Sequence, residues 1–298
     1  MKKKTRWSSG WLLAGVFAAA GLFAEPLTVA TYNIENYTMT NRMAEDVYRK
    51  DYPKPEAEKD ALRAVIRRMD ADVLALQEVG GEPYLRELQR DLKREGMEYP
   101  HAAILQAEDP ARMIAVLSRR AFVGVTQHDD LAFKYFDGTT KVRRGLLEVR
   151  VAQGRGEVAV FVVHLKSRFT ERPDDPAAAV LRAGEAVAIR DRVLKVFPDP
   201  ASARFLVVGD FNDGRTQRPV RAILDRGKTR ISEWLPAADS RGHVWTHFFR
   251  KDDSYSRVDH VLVSPGLIPS VRGGVGRVED AEEVGRASDH RPVVVVIE

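Results

Sequence analysis

The chain of 298 residues carries 47 Lys and Arg against 43 Asp and Glu, and it contains no cysteine. This length allows a large buried core, and the absence of cysteine excludes a disulfide framework and thiolate metal sites. The formal net charge of +4 equals the contribution of four residues near the N-terminus, Lys2, Lys3, Lys4 and Arg6. Because the first 24 residues carry no other charge, the remainder is neutral, and the basic isoelectric point is no evidence of a nucleic-acid partner.

The first 24 residues have the organisation of a secretory signal. The four cations precede an apolar run from Gly10 to Ala24, which is shorter than the roughly 20 residues that span a bilayer. Cleavage after Ala24 would leave a mature chain that begins at Glu25. This predicts a secreted or periplasmic protein without a stable membrane anchor. A retained N-terminal anchor is the alternative, because Leu22 occupies the position where such signals usually have a small residue.

Four elements are predicted in the first part of the mature chain. They are a strand at 27–33, a helix at 56–69, a strand at 72–78, and a second helix marked by Leu85, Leu88 and Leu92 and closed at Gly96. The helices are indicated by apolar residues at helical spacing, and the strands by short apolar runs. Both strands lead into polar residues.

The rest of the mature chain contains strands around one long helix. Short strands are predicted at 102–105, 114–118, 146–151 and 158–164, and their charged or glycine-containing turns favour antiparallel pairing. A helix at 174–196, a strand at 205–208, an Arg-rich segment up to Leu235, and strands at 258–263 and 292–297 follow. Since no repeat or flexible linker interrupts this order, residues 25–298 are predicted to form one domain.

Polar side chains recur at the ends of these strands. They are Asn33 with Glu35, Glu78, His164, Asp210 with Asn212, Asp259 with His260, and Asp289 with His290. Each one alone also suits an ordinary turn or helix cap. Together, at the ends of strands that share one core, they are expected to converge on one rim. Oxygen ligands with few histidines favour Mg²⁺ or Mn²⁺ over zinc.

Six motifs in order resemble those of the endonuclease/exonuclease/phosphatase superfamily. They are Tyr32-Asn33-Ile34-Glu35, Gln77-Glu78, His164-Leu165-Lys166-Ser167, Gly209-Asp210-Phe211-Asn212, Ser256-Arg257-Val258-Asp259-His260 and Ser288-Asp289-His290. The resemblance covers 27–297. It implies an α/β (α+β) fold, a four-layer sandwich of two mainly antiparallel β-sheets flanked by helices.

The resemblance also implies a divalent metal site. Glu78 would be the principal ligand of Mg²⁺ or Mn²⁺, Asn33 would hold the metal site or its phosphate, and Asp289 would be an additional ligand. A metal-dependent phosphoesterase is therefore expected.

The residues of the remaining motifs match positions that carry the chemistry in this superfamily. His290 would act as the general base, and Asp259 would orient it. Asp210 and Asn212 would position the water and bind phosphoryl oxygens. His164 matches a histidine of the deoxyribonuclease and sphingomyelinase branches, where it would bind phosphate or protonate the leaving oxygen. The sequence departs from the family pattern at His260, where many relatives have tyrosine.

Three further residues are predicted to contact the substrate. Arg144 resembles a phosphate-contacting arginine of the family, Lys166 lies in the third motif, and Phe248 could wall a pocket or stack on a base. A solvated turn is the alternative at Arg144. Core packing is the alternative for Phe248, as for its neighbour Trp245.

The resemblance and the loops predict a monomeric phosphodiesterase that acts on nucleic acid as an endonuclease, and the N-terminal signal adds export. The loops at 168–175, 213–230 and 250–257 are charged rather than apolar, which favours a water-borne polyanion. Six cations follow the fourth motif: Arg215, Arg218, Arg221, Arg226, Lys228 and Arg230. They predict phosphate contacts, or alternatively a solvated face paired with acids. The alternatives in function are a lipid or inositol-phosphate hydrolase resembling sphingomyelinase, and a binding protein without turnover.

Overall fold

The computed structural model describes residues 25–298, so the predicted signal segment at 1–24 lies outside the described residues. The strands of the first half are β1 Leu27–Tyr37, β2 Thr40–Ala44, β3 Val47–Tyr52, β4 Val73–Val79, β5 His101–Leu105, β6 Met113–Ser118, β7 Phe122–His128, β8 Ala132–Tyr135, β9 Gly138–Lys141, β10 Leu146–Gln153 and β11 Gly156–His164. Those of the second half are β12 Phe205–Asp210, β13 Asp225–Arg226, β14 Thr229–Arg230, β15 Glu233–Trp234, β16 Ala237–Ala238, β17 His247–Phe249, β18 Ser254–Ser256, β19 Asp259–Val263, β20 Gly276–Val278 and β21 Val293–Ile297. The α-helices are α1 Glu56–Met69, α2 Glu82–Arg94, α3 Ala179–Val196, α4 Arg218–Leu224 and α5 Val284–Ala287.

Two sheets form the body of the molecule. The first sheet has seven strands in the order β16-β20-β21-β1-β4-β6-β5, and the second has six in the order β15-β19-β12-β11-β10-β7. Pairing is antiparallel except for β1 with β4 and β16 with β20 in the first sheet, and β11 with β12 in the second. The predicted pair of mainly antiparallel sheets is therefore confirmed.

The inner faces of the two sheets pack against each other. Alternate residues of the strands supply this inner core, including Val29 and Val73 from the first sheet and Val149, Val162 and Leu206 from the second. The residues in between point to the other side of each sheet and are apolar too. Strands covered on both faces need apolar residues at every position, which explains the continuous Val- and Leu-rich runs of the sequence.

Helices cover both outer faces. Helices α1, α2 and α5 pack on the first sheet around residues such as Leu62, Leu88 and Leu74. Helices α3 and α4 pack on the second sheet around Ile189 and Val220. The result is the predicted four-layer sandwich, helix on sheet on sheet on helix. Within residues 25–298, none of the helices combines the length and the apolar character needed to cross a membrane.

Helix α3 begins later than predicted. The sequence suggested a helix from residue 174, but Ala177 and Ala178 adopt left-handed conformations with φ of 58° and 50°. The regular helix starts at Ala179, and the Asp175 carboxylate accepts hydrogen bonds from the backbone N–H groups of Val180 and Leu181 at 2.8 and 3.0 Å. Asp175 therefore ends the preceding loop and satisfies the free donors of the first turn.

Besides the hairpin of β13 with β14, the short strands β15, β16 and β20, and helix α5, five smaller elements were not predicted. Three are two-stranded hairpins outside the main sheets, formed by β2 with β3, β8 with β9 and β17 with β18. Their side chains are largely exposed or half-buried, so no apolar alternation marks them in the sequence. The fourth is edge strand β7, where Val123 and Val125 face solvent. The fifth is α4, which lies in the Arg-rich segment and has Pro219 in its first turn.

Candidate active site

Polar strand ends of both sheets meet at one edge of the sandwich. The Asn33 amide in β1 donates a hydrogen bond to Asp210 Oδ2 at the end of β12, over 3.1 Å. Around this contact lies a cleft of about 990 Å³. The cleft is lined by Glu78, His164, Asp210, Asn212, Asp289 and His290, among others. The expected convergence of the motifs is thus present, and it joins the two sheets.

Glu78 enters the cleft through a β-bulge in β4. The register with both neighbouring strands shifts between Gln77 and Val79, and Glu78 has a φ of +67°. Leu74 and Leu76 face the helices, and after the bulge Val79 also joins that layer. A bulge inserts one residue and re-aims a side chain. Here it turns the carboxylate away from the helix layer and into the cleft.

Asn33 joins two carboxylates. Its Nδ2 donates to Glu78 Oε1 at 3.3 Å as well as to Asp210, and its Oδ1 accepts the backbone N–H of Glu35 at 3.1 Å. The opposite amide orientation would place oxygen against two carboxylates, so the hydrogen bonds determine the orientation. Asn33 therefore holds Glu78 and Asp210 at a set spacing.

Asp210 and His164 lie side by side because their strands approach closely. β11 and β12 are parallel, His164 is in register with Asp210, and a Cβ on Gly209 would lie 1.9 Å from the carbonyl oxygen of Val163. The backbone N–H of Asn212 donates to Asp210 Oδ1 at 2.7 Å, and the Asn212 amide donates to Oδ2 at 3.1 Å. Burial raises the pKa of Asp210 to about 7, while the adjacent His290 acts in the opposite direction.

His290 and Asp259 form a buried pair. His290 Nδ1 lies 2.8 Å from Asp259 Oδ2, and its Nε2 faces Asn33 and Asp210 at 3.5 and 3.9 Å. Burial by itself lowers the pKa of an imidazole, but Asp259 and Asp210 outweigh burial and hold the pKa of His290 well above its ordinary range. The carboxylate fixes a proton on Nδ1, so Nε2 is the nitrogen that faces the cleft and can accept a proton there.

The segment 288–290 is hydrogen-bonded to β1 at Asn33 and Glu35. Ser288 Oγ donates to the carbonyl oxygen of Asn33 at 2.8 Å and accepts the backbone N–H of His290 at 3.0 Å. Glu35 Oε2 accepts the backbone N–H of Asp289 at 3.0 Å. The first and last motifs of the sequence therefore position each other, and Glu35 has a structural role in the site.

His164 is enclosed next to the two carboxylates. Its Nε2 lies 3.6 Å from Asp210 Oδ2 and 3.9 Å from Glu78 Oε1, and its buried Nδ1 has no hydrogen-bond partner among the described residues. Burial, followed by the charges of Arg144 and His290, lowers the pKa of His164 well below its ordinary range. The ring is therefore neutral in this arrangement.

His260 does not belong to the cleft, although it follows Asp259 directly. Successive residues of a strand point to opposite faces. His260 Nδ1 accepts the Trp234 indole N–H at 3.1 Å, and its Nε2 donates to the carbonyl oxygen of Asp213 at 2.9 Å. Burial lowers the pKa of His260 to about 4. It stabilises the loop after β12 as a neutral residue.

The side chains in the cleft fit a hard divalent cation. Carboxylates of Glu78, Asp210 and Asp289 surround the cleft, and the buried Oδ1 of Asp259 has no hydrogen-bond partner among residues 25–298. Ligand atoms of Asp210, Asp259 and His290 lie within 4.8 Å of one another. Oxygen-rich sets of this kind suit Mg²⁺ or Mn²⁺. Glu78 lies outside that compact group and is joined to it through Asn33.

Two of the three predicted substrate contacts line the cleft. Arg144 is buried rather than part of a solvated turn, pairs with Asp109 at 2.8 Å, and keeps Nε and Nη1 without partners among the described residues. Lys166 also lines the cleft. Phe248 does not, since it stacks on Tyr255 with ring centroids 4.6 Å apart. The six predicted cations after the fourth motif do not line the cleft either.

Several residues of the cleft were missed by the sequence analysis, among them Arg112 and His247. Arg112 Nε donates to Asn36 Oδ1 at 2.9 Å and lies 3.9 Å from Glu78 Oε2. The His247 ring lies against His290, tilted by 42° with ring centroids 4.5 Å apart, and its Nε2 lies 3.7 Å from Asp289 Oδ2. Neither sits at a predicted strand end. The only local signal for His247 was its position in an aromatic stretch before the fifth motif.

Helix α3 ties together the loops that carry the cleft cations. The buried Glu185 carboxylate accepts the backbone N–H groups of Arg143 and Lys166 at 3.1 and 2.7 Å. One turn earlier, Arg182 donates to the carbonyl oxygen of Lys166 at 3.0 Å and to Asp213 Oδ2 at 2.8 Å. Burial raises the pKa of Glu185, while the backbone N–H groups of Lys166 and Arg143 act in the opposite direction.

We expect Glu185→Ala to destabilise the protein by about 3 kcal/mol, because it leaves two buried N–H groups without acceptors. Glu185→Gln should cost less, since one carbonyl oxygen remains. Urea denaturation measures the free energy of unfolding. Lys195→Ala on the exposed face of the same helix is the control, and equal losses in Glu185→Ala and Lys195→Ala would contradict the role given to Glu185.

Comparisons with known proteins relate the chain to one protein family. The model of the Endonuclease/Exonuclease/phosphatase family matches residues 30–290. No curated protein matches the chain in sequence.

Several solved structures share the fold. A mutant of beta toxin from Staphylococcus aureus with bound magnesium ions has a TM-score of 0.65 and 16% identity, covering 92% of this chain and 100% of the toxin. The human nocturnin catalytic domain with bound sulfate has a TM-score of 0.62 and 15% identity, over 92% and 94% of the two chains. Sphingomyelinase C from Streptomyces griseocarneus has a TM-score of 0.58 and 16% identity, over 92% and 100%.

Proposed function

The chain belongs to the endonuclease/exonuclease/phosphatase family, whose members are metal-dependent phosphoesterases, and from this membership we propose that it is an exported phosphodiesterase that cleaves nucleic acid as an endonuclease. Its cofactor is Mg²⁺ or Mn²⁺. The proposal concerns the substrate, the endonucleolytic mode and the export. It rests on one observation, the concentration of cations along the walls of the cleft.

Five cationic side chains line the cleft outside the group of metal-binding carboxylates. They are Arg112, Arg143, Arg144, Lys166 and Arg172. Burial, followed by the charges of Arg144 and Arg143, lowers the pKa of Lys166, so positive charge is crowded there. A single phosphodiester carries one negative charge. Walls with this many cations are better matched to a backbone that presents several successive phosphates.

The same walls disfavour a phosphocholine head group. A quaternary ammonium is bound by open aromatic faces. In this cleft the aromatic faces already carry cations, since Arg172 lies over the Tyr135 ring at 5.0 Å and Lys166 over the Phe169 ring at 5.9 Å. A choline group would meet like charge at these positions. The observation supports a polyanion over sphingomyelin.

The proposed chemistry assigns tasks to the side chains of the cleft. His290 Nε2 takes a proton from the attacking water, and Asp259 stabilises the resulting imidazolium through Nδ1. Asp210 and Asn212 orient the water and the phosphoryl group, and His164 contacts the leaving side. A divalent cation held by Glu78, with Asp210 or Asp289, would supply charge for the phosphoryl oxygens.

Export and a monomeric state complete the proposal. The cationic start and apolar run of residues 1–24 support export, with the domain 25–298 as the mature protein. The polar cleft is complete within one chain, because side chains from both sheets of the same sandwich form it. A partner copy is therefore not needed to build the site.

We expect the protein to cleave plasmid DNA, single-stranded DNA or RNA with Mg²⁺ or Mn²⁺, and to be inhibited by EDTA and by high salt. The salt effect follows because each phosphate contact releases counterions. The measurement is a substrate panel run side by side, containing these nucleic acids, sphingomyelin and inositol polyphosphates.

A His290→Ala preparation serves as the control for a contaminating nuclease, because it should lose the activity. Cleavage confined to sphingomyelin or inositol polyphosphates would overturn the proposed substrate. It would leave the metal site and the phosphoesterase chemistry in place.

A further inference from the structure

A second basic surface lies outside the cleft, between α3 and α4. A groove of about 540 Å³ is lined by Arg190, Arg218, Arg221, Thr216 and Asp225, over an apolar floor of Val187 and Ala222. Two of these arginines belong to the cation cluster after the fourth motif, which the cleft does not use. These two arginines therefore form part of a basic surface that is separate from the cleft.

The charges in this groove are only partly compensated. Arg190 pairs with Asp191 at 2.8 Å, and Asp225 pairs with Arg230 at 3.3 Å. The guanidinium groups of Arg218 and Arg221 are exposed, and no ion pair forms with either of them within the described part of the chain. Two free cations thus face solvent from one short helix, beside the half-buried Arg190.

Helix α3 contributes to both sites, since Leu181 lines the cleft and Arg190 lines the groove. Arg182, whose guanidinium contacts Asp213 and the Lys166 carbonyl at the cleft, lies eight residues before Arg190 on the same helix. At 1.5 Å per residue this separation is about 12 Å. A nucleic-acid strand rises by about 3.4 Å per nucleotide, so this separation corresponds to three to four nucleotides.

We propose that the groove formed by Arg190, Arg218 and Arg221 is a second binding site for the phosphate backbone of the strand held in the cleft. This inference rests on the proposed function, because it requires a nucleic-acid substrate. The exposed arginines contact phosphates, Thr216 offers a hydroxyl donor, and the apolar floor accommodates sugar. The site adds affinity for long substrates and takes no part in the bond cleavage.

The test is the double variant Arg218→Ala/Arg221→Ala. We expect KM for a 20-base-pair duplex to rise about tenfold with kcat unchanged, while hydrolysis of bis(p-nitrophenyl) phosphate stays at the wild-type rate. The slope of log affinity against log salt concentration should fall by about 1.8, the value for two lost phosphate contacts. The advantage of a 20-base-pair duplex over a duplex too short to reach the groove should be smaller than in the wild type.

The matched control is Arg226→Ala/Arg230→Ala, which removes two cations that already pair with Asp191 and Asp225. It should change the duplex KM by less than about twofold. Binding of the labelled 20-base-pair duplex in EDTA, followed by fluorescence anisotropy, is measured for all variants because it needs no turnover.

The two proposals fail differently. Wild-type binding that is equal in Arg218→Ala/Arg221→Ala would overturn the groove as a binding site, whatever the enzyme cleaves. Failure of the wild type to cleave any nucleic acid would overturn the proposed function. Should the duplex still bind in EDTA and lose that binding in the double variant, the groove would stand without the nuclease activity.

Discussion

Glu78→Gln is expected to lower metal-dependent turnover by at least about 10²-fold while leaving the fold intact. The substitution removes a negative charge from the predicted cation site and conserves the side-chain volume. A loss of that size corresponds to about 3 kcal/mol of transition-state stabilisation. The fold should survive because the amide oxygen of the variant can still accept the backbone N–H of Asn36, which donates to Glu78 at 2.9 Å in the wild type.

Isothermal titration with Mn²⁺ and steady-state kinetics measure this effect, and the melting temperature checks the fold. Glu82→Gln, four residues later on the exposed start of α2, is the matched control and should leave both measurements unchanged. Unaltered Mn²⁺ affinity and turnover in Glu78→Gln would show that Glu78 is not a metal ligand.

His290→Ala and Asp259→Asn are each expected to lower kcat by about 10³-fold or more, and the double variant should be little worse than either single one. The two side chains act as a unit, because Asp259 Oδ2 holds His290 Nδ1 at 2.8 Å and stabilises the charged ring. A double-mutant cycle on kcat measures the coupling. Strictly additive losses in log kcat would show that the pair does not cooperate.

The pH dependence of Asp259→Asn gives an independent readout. A general base must be neutral to accept a proton, so the rate rises with pH through the pKa of His290. Asp259 raises that pKa, and its replacement by a neutral amide should lower it. The acid limb of the pH–rate profile should therefore move to lower pH in Asp259→Asn. His243→Ala, on an exposed loop, should leave the profile unchanged.

Most of the candidate site could be predicted because its residues lie in recognisable sequence motifs that follow apolar strands. Asp210 comes directly after a buried run, and its partner His164 ends the strand beside it. His247 and Glu185 could not be predicted in the same way. His247 lies in a short hairpin without apolar alternation, and Glu185 looks like an ordinary helical residue until tertiary contacts bury it.

The fold was predictable where packing imposes a pattern. The helix at 56–69 was predicted with its observed limits, because Leu62, Ile66 and Met69 form its buried face and acids and bases occupy its ends as the helix dipole favours. The hairpin of β2 with β3 was not predictable, since exposed residues such as Met43 and Tyr48 are interspersed with charges. The bulge at Glu78 could not be predicted from the sequence either, because it depends on the pairing of β4 with two other strands.

The hydrogen bond from Asn33 to Asp210 crosses from one sheet to the other. The geometry of the active site therefore depends on the distance between the two sheets. A displacement of reacting groups by 1 Å can cost about 10²-fold in rate. A slight separation of the two sheets would therefore lower the catalytic rate strongly, although every strand remained paired within its sheet. Inner-core residues such as Val162 and Leu206 therefore influence activity although they touch no substrate. Conservative substitutions there are expected to change the spacing of the active-site groups.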